Sequence, residues 1–363
     1  MEKAKLSPGQ LFSLILLFDT GTAIIRVLAT KAEKDAWIAI LLGLVGGMLI
    51  FSVYISLYRL YPKLPLSGYI RAILGQKLGW LLGVLYVLFF IHGAARDLRE
   101  GSDLLISSVL DQTPEIVVSA VMILSIAYVL NKGIEVLART ALIFAFTLGA
   151  LAVISNLLMY FSGIVEMDHL LPVLGNGWLP VLNVTLKQTI QFPYEELICF
   201  TMLLPYMNNT SGRGIRAGFA AVLTSGILLS YSSATNIAIL GAQIAERATF
   251  PLLYTISLIS IGDFVQRLDV FVVLTLIVGD FFKIAIFFYA GIMAATDLFQ
   301  VPDYRKLVVP IGVIVLLMSL VLSGNFAEQI EEGDILLFTV FLTFGLGIPL
   351  VLWMVAKLGK LMK

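Results

Sequence analysis

The chain has 363 residues, 59% of them hydrophobic and 13% charged, and its mean hydropathy is +0.98. Soluble domains carry about 25% charged residues, so a soluble globular protein is excluded. The 24 basic and 24 acidic residues balance and leave no electrostatic footprint for nucleic acid, while a single cysteine and two isolated histidines, His92 and His169, suggest no disulfide, metal cluster or other cofactor.

In chain order, MEKAKLSPGQ reads as a short basic tail rather than a cleavable signal, because no small-residue cleavage site follows. Ten apolar runs long enough to span a bilayer come next, at 10–30, 36–58, 79–97, 115–131, 140–162, 180–205, 215–243, 269–296, 307–323 and 335–356. No linker or soluble insertion separates them, so residues 1–363 are expected to form one transmembrane domain. The fold class expected is an all-α polytopic membrane protein with ten transmembrane helices. With the N-terminus inside, the cytoplasmic pieces hold 15 Lys and Arg, counting Arg216 at a span end, and the outer pieces 6, counting Arg96 likewise, so both termini are expected in the cytoplasm.

Ten spans divide into two halves of five, approximately 10–162 and 180–356. An odd number per half inverts the second relative to the first, as a LeuT-like 5+5 inverted repeat requires. In that fold the first helix of each half is interrupted near the midplane. Span 1 reads LFSLILLFDTGTAIIRVLAT, with Asp19, Thr20, Gly21 and Thr22 halfway along, and span 6 carries QFPYEE at similar depth. Gly21 permits unusual backbone angles and close ligand approach, and Pro193 leaves an unpaired carbonyl one turn back. Broken helices 1 and 6 around a shared cavity are therefore expected. DTGT also has a plainer reading as a helix–helix contact, with Gly21 allowing close packing and Thr20 or Thr22 bonding across the interface.

Glu195 and Glu196 point about 100° apart on a helix. Glu196 is taken as the inward residue, meeting a ligand ammonium, holding a proton, or fixed in an ion pair with Lys187 or Arg26. Span 8 contains Asp280 and Lys283 at i,i+3, a spacing at which the two neutralise each other. In the sharper reading Lys283 supplies a fixed charge where related transporters bind sodium. Asp19, Arg26, Lys187, Asp280 and Lys283 form a candidate charge network, although snorkelling accounts for Arg26. SYSSATN at 230–236 either lines the cavity or serves helix packing. FPLLYTISLISIGDFVQRLD reads as an amphipathic outer loop capping the cavity, and His92 and Asp97 as satisfied structural groups.

GTAII in span 1, KDAWIA after it, NKGIEVLAR before span 5, FPYEE in span 6 and the R-x-D of Gln266-Arg267-Leu268-Asp269 together resemble one family. It is the B subunit of nutrient germinant receptors in endospore-forming bacteria (the GerAB type), a branch of the amino acid–polyamine–organocation permeases. The resemblance runs the length of the chain. It implies a place in the inner spore membrane beside an A subunit and a lipoprotein C subunit, and recognition of a small nutrient, commonly an amino acid. It carries the binding positions onto Gly21, Thr22, Ala23 and Ile24 in span 1 and onto Phe192, Pro193, Tyr194 and Glu196 in span 6. One departure is Glu195, where a small residue is expected.

Two functions remain open on these grounds. One is a ligand-sensing receptor subunit in which a carboxylate lies against free N–H groups near Gly21 and Thr22, an ammonium meets unwound span-6 carbonyls and Glu196, and Phe192 and Tyr194 close over the ligand. The other is a proton-coupled secondary transporter of amino acids or amines. An enzyme is not expected, because no nucleophile–base pair or metal set is visible.

Overall fold

A computed structural model describes residues 4–25, 28–208, 212–259, 269–322, 333 and 335–361; Arg26 and Arg267 lie outside the described residues. Within a bilayer only helices satisfy every backbone group inside one segment, and apolar runs such as AWIAILLGLVGGMLIFSVY accordingly fold as helix. The helices are α1 (Pro8–Ile25), α2 (Ala36–Leu60), α3 (Leu66–Leu74), α4 (Gln76–Ser108), α5 (Glu115–Lys132), α6 (Ile134–Phe161), α7 (Trp178–Val184), α8 (Arg213–Leu240), α9 (Ala242–Arg247), α10 (Pro251–Ser257), α11 (Asp269–Leu298), α12 (Arg305–Val321) and α13 (Ile348–Leu361). The β structure among the described residues is one isolated parallel bridge, Leu6 to Met207.

Among the described residues seven helices are long and apolar enough to cross a membrane: α2 with the turn before it, α4, α5, α6, α8, α11 and the C-terminal run ending in α13. The chain is thus a multi-pass, all-helical membrane protein. The other three expected spans fall on α1, on an interrupted run from α7 to Tyr206, and on α12, which has 17 residues. α4 outruns its expected limits and continues to Ser108, because its polar end, including Arg96, Asp97, Arg99 and Glu100, is buried in protein rather than exposed. Arg99 is held there by Glu115 on α5 and by Asp103, at 3.1 Å.

Span 6 is interrupted, as expected. α7 gives way to a π turn at Thr185–Thr189, and the backbone resumes as a 3-10 run over Tyr194–Met202 after a cis Phe192–Pro193 peptide. Span 1 is not. α1 runs unbroken through Asp19, Thr20, Gly21 and Thr22, so the expected break in helix 1 is corrected. The polar residues are accommodated within the helix: the Thr20 hydroxyl donates to the Leu16 carbonyl one turn back, at 2.7 Å, and a lone glycine costs a helix only about 1 kcal/mol.

α1 lies at the centre of the packing, against α8, α11 and α6, while α11 makes its most extensive contact with α4. Gly21 faces Gly279 of α11. A Cβ on Gly21 would sit 2.9 Å from the Gly279 carbonyl oxygen, and one on Gly279 would sit 3.0 Å from the Gly21 Cα. The two glycines let α1 and α11 meet backbone to backbone, the close-packing use of small residues in membrane helices.

Candidate functional site

Two features flank that glycine contact. The first is a buried ion pair. Lys283, on α11 one turn beyond Gly279, is fully buried, and its Nζ lies 2.6 Å from Glu196 Oε2. Nζ also donates to the Thr22 hydroxyl on α1 and stands 4.5 Å from the centre of the Phe192 ring and 5.7 Å from that of Phe18. One cation therefore joins α11, α1 and the interrupted run. Cation–π contacts and charge-assisted hydrogen bonds replace its lost hydration, which is how a lysine survives at this depth.

This pairing corrects two expectations. Glu196 does point inward, but its partner is Lys283 and not Lys187, which is exposed on the π turn. Lys283 in turn pairs across the interface rather than with Asp280 on its own helix; the Asp280 carboxylate instead fills the space above Gly101 of α4. Asp19 is buried on the α8 side of α1, where Ser225 donates to its Oδ2 at 2.7 Å. The expected network thus splits into separate contacts, with Arg26 outside the described residues.

Tyr194 is not a lid. Its ring packs over Gly47 of α2, where a Cβ would fall 2.2 Å from the ring, and its hydroxyl reaches over Gly226 of α8. It is a core wedge between two helices. Glu195 turns the other way from Glu196. It packs against Gly345, and its carbonyl accepts from Tyr54 at 3.1 Å; both carboxylate oxygens are buried and make no hydrogen bond among the described residues.

The second feature is a partly open cavity of about 190 Å³ on the opposite face of α1, lined by α1, α6, α8, α10 and α11. Thr20, Gly21 and Ile24 line it from α1, and Gly279 from α11, so the close contact forms part of its wall. Tyr231, Ser232 and Thr235 of SYSSATN also line it, and so do Leu252 and Ile256 of α10. Ala23 and Ile24 border a smaller void of about 40 Å³ nearby. Sequence reasoning missed Ser155 and Asn156 on α6, because a polar residue in a span reads alike whether it faces a cavity or a neighbour. The carried-over positions therefore divide. Thr22, Phe192 and Glu196 surround Lys283, Gly21 and Ile24 face the cavity, Ala23 faces the smaller void, and Pro193 and Tyr194 shape the interrupted run.

An interrupted helix, a buried cross-helix ion pair and a polar-edged cavity beside it define a multi-pass membrane protein of permease-like construction. The family model described as "Spore germination protein" matches residues 5–327. Spore germination protein KB of Bacillus subtilis (strain 168) is 37% identical over 99% of this chain and 96% of its own length. Spore germination protein YndE of the same organism is 25% identical over 98% of each chain, and its spore germination protein A2 is 25% identical over 92% of this chain and 90% of its own. The chain belongs to the spore germination protein family, as the motif resemblance implied.

Proposed function

We propose that this chain is the nutrient-sensing membrane subunit of a spore germinant receptor, and that the cavity between α1, α6, α8 and α11 holds the nutrient. The observation carrying this reading is that one pair of residues, Gly21 and Gly279, both lines the cavity and sets the α1–α11 contact, with Lys283 one turn away. A solute entering the cavity presses on the wall that positions Thr22 against Lys283. A signal requires the ligand to favour one arrangement over another, and in this reading the buried ion pair across three elements is what the ligand biases.

In this reading the chain sits in the inner spore membrane with both termini cytoplasmic. Its ten spans form two inverted five-helix halves in which only the second opens with an interrupted helix. An A subunit and a C-subunit lipoprotein receive the signal. The family membership and the names of the relatives support a germination role.

The test is genetic and biochemical together. Deleting the chain from its host removes the spore response to at least one nutrient, and the purified chain in proteoliposomes moves little of that nutrient. Robust uptake with an intact spore response would instead favour the secondary transporter.

A further inference from the structure

We propose that the cavity takes an uncharged, hydroxyl-bearing small solute, bound by the hydroxyl oxygens of Thr20 and Thr235 and by the Asn156–Tyr231 pair; this rests on reading the cavity as the nutrient site. Among the described lining residues there is no Lys, Arg, Asp, Glu or His. The polar groups are the amide of Asn156 and hydroxyls, chiefly those of Thr20, Ser155, Tyr231, Ser232 and Thr235. All of them are neutral.

Their hydrogen bonds fix what they offer. Tyr231 donates to Asn156 Oδ1 at 2.7 Å, and Asn156 Nδ2 donates to the Ala152 carbonyl at 2.7 Å, which ties α8 to α6 at the cavity edge. Thr20 donates to the Leu16 carbonyl at 2.7 Å and Thr235 to the Tyr231 carbonyl at 2.9 Å. With their protons so used, both threonine hydroxyls can only accept from a further partner. A solute with O–H donors matches them.

A free amino acid, the ligand expected from the family resemblance, would bring a carboxylate and an ammonium into this space. Neither finds a counter-charge among the described lining residues, and burying an unpaired charge is heavily penalised. The nearest buried charges on α1 and α11 turn elsewhere, Lys283 to Glu196, Asp19 to Ser225 and Asp280 to the space above Gly101. The volume of about 190 Å³ is on the scale of a small solute.

The experiment is a thermal-shift titration of the purified full chain with two uncharged probes, xylitol and myo-inositol, and two zwitterionic or anionic ones, L-alanine and L-glutamate. A binder raises the melting temperature with concentration. The expected result is stabilisation by at least one uncharged probe and by neither amino acid. Ala152→Phe, or Leu228→Trp if the first variant does not fold, abolishes the shift, and Asn156→Leu raises the half-maximal concentration about tenfold, the equivalent of one hydrogen bond. Stabilisation by an amino acid that the filling variant abolishes would overturn the ligand class and keep the cavity as the site. Stabilisation that survives the filling variants would overturn the site itself. No shift with any of the four probes would overturn the ligand class.

Discussion

Lys283 on α11 and Glu196 in the interrupted run form a 2.6 Å ion pair buried from solvent on both sides, with Thr22 of α1 as third partner. Breaking such a pair from one side strands a charge and costs about 3–5 kcal/mol, whereas removing both partners together is often neutral. Glu196→Gln and Lys283→Met are each expected to lower the melting temperature of the purified protein sharply. The double variant is expected to recover most of the loss yet to leave spores unresponsive. A double variant as unstable as either single one would contradict the pairing.

The Gly21–Gly279 contact predicts a second result. A methyl group at either position meets backbone, which does not yield as a side-chain tip does. Gly21→Ala and Gly279→Ala should each cost about 1–3 kcal/mol, the usual range for overpacking. Because either methyl separates the same two helices, their effects should not add. Additive losses in a double-mutant cycle would show that the helices do not meet there.

Tyr194 separates a wedge from a lid. Its hydroxyl has no hydrogen-bond partner among the described residues, while its ring fills the notches at Gly47 and Gly226. Tyr194→Phe is expected to be nearly neutral in a melting experiment, and Tyr194→Ala to cost about 3–5 kcal/mol. A lid would show the reverse pattern, with stability kept by alanine and the nutrient response lost.

The two neighbouring acids should behave oppositely. Glu196 holds a cation, but Glu195 is buried with both oxygens lacking hydrogen bonds among the described residues. Glu195→Gln should leave the melting temperature unchanged or higher under conditions in which Glu196→Gln lowers it. Equal losses from both would mean that Glu195 also has an essential partner.

How far these relationships were legible depends on what a linear pattern records. Pro193 announced the interruption, because a proline ring removes a helix donor wherever it sits. Two adjacent acids implied that one turns inward, and Glu196 does. Its partner was not legible, since Asp280 lies at helical spacing from Lys283 while Glu196 lies on another element. DTGT was ambiguous for a physical reason: glycine serves unwinding and close packing equally well. Only Gly279, on the facing helix, decides for packing. Ser155 and Asn156 could not be distinguished from ordinary polar residues of a span until α8 was placed opposite them.

The central claim is that a nutrient is sensed in the cavity between α1, α6, α8 and α11. The direct measurement is the germination of spores carrying Ala152→Phe, followed as the fall in optical density in the nutrient mixture to which the parent responds. The variant protein is quantified in the spore membrane alongside. Loss of the response at a normal protein level is the predicted result, and a normal response at a normal level would contradict the account.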